Sequence, residues 1–362
     1  MTKLEEARNI INEVDNEMIK LFEKRMDAAK IVALYKKENG LQITDAAREN
    51  EIVERNSKKV ENEELKAYYV SFLQHNIELS KKYQHRLLEG MRVAFSGVEG
   101  AFANIATKKI FPDATAVGYP DFKSAYNSVV KGETDCVILP IENSYNGDVG
   151  QVMDLAFFGE LYVNGIYDIG IIQNLLAIKG TKLEDIRKVI SHPQALGQCA
   201  DFIKKHNFEI EECVNTAIAA KTVAQSNRKD IAAIASDEAA KEYGLEKIET
   251  HINESNNNTT RFAVFSKTAK LPSVNDKHFI MLFTVNNEAG ALSKAISIIG
   301  DNGFNLKALK SRPTKDLIWN YYFYAEGEGN INSTEGKKML KELSEKCSEL
   351  KVLASFEKEI IL

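Results

Sequence analysis

The sequence predicts a multidomain chain of three segments in series. These are an all-helical unit over residues 1–89, an α/β segment over 91–268 with a largely parallel sheet, and a small α+β domain over 277–362. Three observations carry this. Residues 1–89 hold a single glycine, Gly40, and no proline, with apolar residues at helical spacing. From Met91, short apolar runs bounded by turns alternate with helical patterns. From His278 the order reads strand, helix, strand, strand, helix, strand, which is ferredoxin-like. A length of 362 residues favours two or three domains.

In the first segment Leu4, Ala7, Ile11, Val14, Met18, Leu21, Ala28 and Val32 define a helix of roughly 35 residues that Gly40 stops. Such length without caps points to a helix that packs on a partner chain. A second helix starts near "TDAARENEIVERNSKK", and a third runs from Glu63 to Glu89. Arg8, Arg25, Lys36, Asp45 and Arg48 interrupt apolar or Ala-rich patterns. On one helix Arg25 and Lys36 lie about 20° apart and roughly 16 Å along the axis, so they can converge on a small dianion. Arg8 is about 42 Å from Lys36 and about 80° round the helix, so it serves a site completed by another chain. Ser80 and Gln84 are i,i+4 neighbours on the third helix. Texture alone also fits a charged bundle with no site.

"RNIINEVD", "LFEKRMDAAKIVALYKK", "TDAARE" and "SKKYQ" resemble the all-helical class of chorismate mutase over nearly all of 1–89. That chemistry is one unimolecular pericyclic step, and donors aimed at the charge developing on the ether oxygen perform it. The resemblance implies that Arg8, Arg25 and Arg48 hold carboxylates. It gives Lys36 and Gln84 the ether oxygen, Asp45 and Glu49 the substrate hydroxyl, and Ser80 a carboxylate.

In the second segment the strands are "MRVAFSG", "DCVILPIEN", "LLAIKG", "KVISHP", "IAAIAS" and "RFAVFSK". "FSGVEGAFANIA" lacks the GxGxxG spacing, so a dinucleotide reading is weak. Polar groups gather where apolar strands end or begin, in "PIENSYNGDVG", "SHPQALGQC" and "SNNNTTRFAVF". Open α/β sheets bind ligands at such ends, although any one cluster also reads as a turn or cap. Together, "VEGAF", "PIENS", "SHPQALGQC", "AAIAS" and "NNTTRF" resemble prephenate dehydratase, in order, across residues 91–267. That resemblance implies two α/β lobes like those of periplasmic binding proteins. The chain crosses between them near 165–175 and near Asn253, and Thr260 returns to the cleft. By the same resemblance Arg261 binds a carboxylate, Thr260 donates to the departing hydroxyl and Phe262 gives an apolar wall. Asn143, Ser191 and Gln198 touch substrate. Glu142, with its pKa raised by burial, and His192 are alternative acids; for His192 a structural hydrogen bond is the competing reading.

"TAKLPSVNDK" (268–277) is a linker. "NEAGALSKAISIIGDNGFNLKALKSRP" resembles an ACT domain of the phenylalanine-sensing kind. The resemblance implies that Gly290, Ala291, Leu292 and Ser293, with Ser311, Arg312 and Pro313, bind the effector. The family's second motif reads Glu-Ser-Arg-Pro, and here a base, Lys310, stands first. A plain dimerisation module is the alternative.

A net charge of −5 argues against a protein held to nucleic acid by bulk charge. Cys136, Cys199, Cys213 and Cys347 form no CxxC pair and read as reduced thiols in a cytoplasmic protein. The amino-terminal stretch is too polar for a signal peptide, no apolar run approaches the ~18 residues of a membrane span, and the histidines show no metal-ligand spacing. The expectation is a bifunctional enzyme without metal or organic cofactor, a homodimer or homotetramer that takes chorismate to prephenate and on to phenylpyruvate under phenylalanine control. Two rivals stand beside it: arogenate as the second substrate, and a non-catalytic two-lobed sensor with an amino-acid-binding domain.

Overall fold

The computed structural model describes residues 2–255, 257–314 and 320–362. The chain divides into two compact units between Arg92 and Val93.

The first unit is three helices: α1 (Lys3–Glu38), α2 (Ala46–Ser57) and α3 (Glu63–Glu89). Contrary to the uncapped helix expected, α1 opens with a capping box: Thr2 Oγ1 accepts from the Glu5 amide, and the Thr2 amide donates to Glu5 Oε2 at 2.6 Å. Asp45 and Asn62 cap α2 and α3 through a side-chain oxygen alone, accepting from the Arg48 and Glu64 amides, and Gly90, at φ +78°, ends α3. Helix α1 packs on α3, burying Ala29, Ala33, Leu73 and Ile77. Much of the apolar periodicity is left uncovered: Ile10 is 61% exposed, Leu21 64% and Tyr68 76%.

The second unit begins with a lobe of β1 (Arg92–Ser96), α4 (Phe102–Ile110), β2 (Thr115–Tyr119), α5 (Phe122–Lys131), β3 (Cys136–Asn143), β4 (Gly147–Asp148), α6 (Gly150–Phe158) and β5 (Tyr162–Gly170). The chain then crosses to a second lobe. That lobe comprises β6 (Asn174–Ala177), β7 (Lys188–Ser191), α7 (Pro193–Gln198), α8 (Ala200–Lys205), β8 (Glu209–Glu212), α9 (Thr216–Ser226), β9 (Ile231–Ala235), α10 (Asp237–Tyr243) and β10 (Glu246–Glu249). It returns on β11 (Thr259–Ser266) to the first sheet. Both crossings fall where the sequence places them.

The sheets are mixed rather than largely parallel. In the first, β1 runs parallel to β3, but β11 is antiparallel to both β3 and β5. In the second, β7 is parallel to β8 and β9, while β6 and β10 run against their neighbours. The cause is the double crossing: β3 and β5 run towards the cleft, and β11 enters from it.

The last segment is β12 (His278–Val285), α11 (Ala291–Asp301), β13 (Asn305–Pro313), β14 (Tyr321–Glu328), α12 (Thr334–Ser344) and β15 (Cys347–Phe356), with sheet order β13-β14-β12-β15. The third strand of the expected order reads "IWNYYFYAEG" in the sequence, and its first two residues, Ile318 and Trp319, lie outside the described residues, as does Asn256 of the asparagine run. Both faces of β12 are covered. Phe279, Met281 and Phe283 meet Ala295, Ile299, Met339 and Leu343 on its own helices. Ile280 and Leu282 join Tyr126, Val152 and Phe265 in one core with the first lobe. That double burial explains the unbroken run "FIMLF". A final strand, β16 (Ile360–Ile361), pairs parallel with β5 and closes the edge of the first sheet.

Candidate functional site

Successive residues of β11 point to opposite faces of its sheet. Thr260 is 9% exposed and pairs with Asn143 on one side and Ile169 on the other. Its hydroxyl oxygen accepts from Asn143 Nδ2 at 2.9 Å. Asn143 is itself fixed, because its Oδ1 accepts from the Tyr145 and Asn146 amides, both at 3.0 Å, in an Asx turn. The Asn143 amide also reaches Asn258 Oδ1 at 2.9 Å. Sequence reasoning passes over Asn258, although the asparagine run is its signal; its Nδ2 is buried without a partner among the described residues.

Arg261 turns the other way, against the small domain. Its guanidinium makes a two-pronged contact with Glu326, 3.0 Å on each prong, and meets Glu359 at 2.6 Å and Glu142 at 3.1 Å. This corrects the assignment of Arg261 to a substrate carboxylate beside Thr260: the pleat separates the two side chains, and four carboxylates, counting Asp168 at 3.9 Å, already surround the cation. Phe262 returns to the Thr260 face and is 2% exposed.

Glu142 is corrected too. Burial pulls its pKa up, but Lys310 and Arg261 outweigh burial, and the carboxyl is held below its ordinary value. It is an ionised bridge and not an acid. Lys310 Nζ stands 2.8 Å from Glu142 Oε1 and 2.5 Å from Asp148.

Ser191 and Gln198 are buried in the second lobe, apart from Thr260's bonding partners. The Ser191 hydroxyl donates to the Ile234 carbonyl at 2.6 Å, and Gln198 Oε1 is 3.4 Å from Gln173 Nε2. His192 caps α7, its Nδ1 accepting from the Gln194 amide at 3.2 Å. Between the lobes lies a cavity of about 370 Å³. Its walls include Phe102 and Lys109 of α4, Ile169 of β5, Ser236 before α10, Lys247 and His251. Thr260 does not line it but sits one strand in from Ile169 on the same face.

In the helical unit Arg25 donates to the Asn76 carbonyl at 3.0 Å and to Ser80 Oγ. Lys36 donates to the Ile43 carbonyl at 2.6 Å. Glu49 pairs with Lys81 at 3.0 Å, a partner the sequence reading omits, and Arg48 with the exposed Glu51. Asp45 is occupied as the α2 cap. Gln84 Oε1 is buried without a partner among the described residues. Arg8 is exposed, 17 residues and so about 25 Å from Arg25 along the axis.

At the small domain, Gly290 opens α11 in the left-handed region at φ +82°, with Ala291, Leu292 and Ser293 forming the first turn. Ser311 and Pro313 are exposed on β13. Arg312 faces inward and is corrected as an effector ligand: its Nε and Nη2 hold Asp154 of α6 at 2.9 and 3.2 Å, where Tyr322 also donates at 2.8 Å.

A short helical unit with cations along α1 and α2, joined to a two-lobed α/β unit with polar strand ends at an interlobe cleft, points to a fused two-catalyst enzyme. Family models agree: chorismate mutase type II matches residues 7–85 and prephenate dehydratase residues 93–270. A bifunctional chorismate mutase/prephenate dehydratase of Aquifex aeolicus is 32% identical over 374 residues, covering 100% of this chain and 99% of the relative. An arogenate dehydratase/prephenate dehydratase of Arabidopsis thaliana is 33% identical over 74% of this chain and 72% of its own. The structure of an Arthrobacter aurescens prephenate dehydratase in complex with L-Phe superposes with a TM-score of 0.69 at 26% identity, over 74% of this chain and 90% of that one. The chain belongs to the bifunctional chorismate mutase/prephenate dehydratase family, and it catalyses both reactions.

The pKa of His192 is lowered, because burial disfavours the imidazolium more than Glu212 favours it. A lowered folded pKa gives stability that is present above the ordinary histidine value and lost as pH falls through the folded one. His192→Asn keeps an acceptor at the cap but does not titrate. The fall in melting temperature between pH 7.5 and pH 5 is therefore expected to be smaller in His192→Asn than in wild type, as read by thermal unfolding.

Proposed function

We propose that Thr260 is the donor in the dehydratase step. One observation carries this: Asn143 occupies the Thr260 oxygen as a donor, which leaves the hydroxyl hydrogen for another acceptor. Prephenate loses its ring carboxylate as carbon dioxide while its C4 hydroxyl leaves as water. The carboxylate must stay ionised to release its electrons, and the leaving oxygen needs a hydrogen bond that strengthens as charge develops. Phe262 supplies an apolar wall on the same face. Ser191, at the end of β7 beside β9, and Gln198, beside Gln173 after the first crossing, are read as substrate contacts. Thr260→Ala is expected to lower dehydratase kcat by roughly 10²–10³ while the mutase activity of the same chain is unchanged. Full dehydratase activity in that variant removes Thr260 from the mechanism.

For the mutase, Arg25, Lys36, Ser80 and Gln84 form one end of the site, with Arg48, Asp45 and Glu49 at the start of α2. Arg8 belongs to the equivalent site of a second copy, and the exposed apolar stripe of α1 is where that copy packs. Antiparallel first helices bring Arg8 of one chain to Arg25 and Lys36 of the other. Arg8→Ala and Lys36→Ala homodimers are then both nearly inactive as mutases. Refolded together in equal amounts, about half the dimers are mixed and each has one intact site, so roughly a quarter of wild-type mutase activity returns. No return, with mixed dimers shown to form, means that Arg8 acts within its own chain.

The small domain reads as an ACT module that binds phenylalanine at Gly290–Ser293 with Ser311 and Pro313, and not through Arg312. The Arthrobacter relative was solved with that amino acid. Phenylalanine is expected to bind by calorimetry and to inhibit the dehydratase, and Gly290→Val, which forces a branched side chain into left-handed backbone, is expected to abolish both effects. Four free thiols suit a reducing, cytoplasmic setting.

A further inference from the structure

Lys310 stands on β13 of the small domain, yet its partners belong to the first lobe. The ammonium bridges Glu142, the penultimate residue of β3, and Asp148, which pairs with Glu142 across the β3–β4 hairpin. It also lies over the Tyr324 ring, 5.6 Å from the centroid. The side chain is 21% exposed, so the bridge is partly withdrawn from water. What this clamp closes is the hairpin whose turn, residues 144–146, Asn143 opens and holds. That residue holds the Thr260 hydroxyl oxygen from one face of the sheet while Lys310 and Arg261 grip Glu142 from the other. Among the described residues, the other hydrogen bonds of the hairpin are local or come from β11 and the two residues before it: Ser144 N donates to the Thr259 carbonyl, Ser144 Oγ to that of Asn257, Asn143 Nδ2 to Asn258 Oδ1, and Val149 N to the Ile141 carbonyl. Lys310 and Arg261 are thus the cations that fix its outer face.

From this geometry we propose that Lys310 is a positioning residue of the dehydratase: by bridging Glu142 and Asp148 it holds the Asn143 turn, and through it the Thr260 donor, in the reactive pose. The proposal rests on the reading of Thr260 as that donor. It places the residue that departs from the Glu-Ser-Arg-Pro pattern in the catalytic step and not at the effector. A donor aimed at charge that develops in the transition state acts on kcat, so a loosened turn shows in kcat and little in KM. Burial opposes the charge on Lys310, but Asp148 and Glu142 outweigh it, and its pKa is raised.

The test uses the full chain, with dehydratase assayed on prephenate and mutase on chorismate. Lys310→Met is expected to lower dehydratase kcat by about ten-fold with KM within about two-fold, and to leave mutase kinetics unchanged. Lys310→Arg restores most of the rate. Lys310→Glu falls below Lys310→Met, because it sets a third carboxylate beside Glu142 and Asp148. Asp148→Asn removes half of the same bridge, so adding it to Lys310→Met causes little further loss. A merely structural role would lower the melting temperature of Lys310→Met without the kcat-only loss or the arginine rescue. If Lys310→Met does not fold, Lys310→Arg and Asp148→Asn carry the comparison. A Lys310→Met enzyme with wild-type kcat, or losses that multiply in the double variant, overturns the proposal while Thr260→Ala remains inactive. An active Thr260→Ala overturns the reading beneath it.

Discussion

The Arg261 guanidinium is the point on which the dehydratase and the small domain are joined. It is 17% exposed and its main partner, Glu326, 3% exposed, so the pair lies largely out of water. Charges in that position are no simple gain, because desolvation offsets much of their attraction. Their effect is on specificity. Leaving one partner unpaired costs about 3–5 kcal/mol, so arrangements that misplace β14 against β11 are excluded. Lys310 with Asp148, Arg312 with Asp154 and Lys351 with the carbonyls ending α6 repeat this at other points of the same interface. Between them the contact is apolar: Tyr322 stacks on Phe157 with centroids 4.2 Å apart, and Ile280, Leu282 and Leu353 complete the shared core.

This division of labour follows from the pleat of a single strand. One face of β11 offers Thr260 and Phe262 to the cleft side; the other gives Arg261, Ala263 and Phe265 to the small domain. A sheet two residues deep in function separates chemistry from assembly, yet both faces share the same backbone. A shift of one residue in register would exchange them. The β-bulge on β3, where Arg261 faces Glu142 but Phe262 faces Pro140, is the one irregularity between β11 and β3, and it lies directly beneath the Thr260–Asn143 pair.

Much of this could be read in advance. The bounds of α3 match the sequence reading at both ends, because its pattern is long and punctuated by Asn62 and Gly90. Strands β8 and β10 escape it: "EIEE" and "EKIE" are charged edge strands with little apolar alternation. Strand β5 escapes for another reason. Its buried residues Val163, Ile166 and Ile169 are three apart: a register shift against β11 falls between the first two, and Ile169 is buried on the opposite face of the sheet from Ile166. The polar clusters that hold Asn143 and Thr260 were legible, and the bond between the two residues joins them. The fate of Arg261 was not, because its acidic partners Glu326 and Glu359 lie 65 and 98 residues away in sequence. Strand alternation alone would have parted it from Thr260, had the strand been taken to start at Thr259.

The pairing of β16 with β5 bears on how the chain comes into being. Leu362 donates to the Asp168 carbonyl, and Glu359 reaches Arg261, so the first sheet takes its outermost strand from residues 360–361, far downstream of the strands it borders. The helical unit has its own contacts and is free to form early in synthesis. The first lobe is different. Its core on the α5–α6 face is finished by Ile280, Tyr322 and Leu353, which arrive more than a hundred residues after Ala125 and Val152. Until then an apolar face and an open sheet edge stand exposed, the state in which nascent chains need chaperones most.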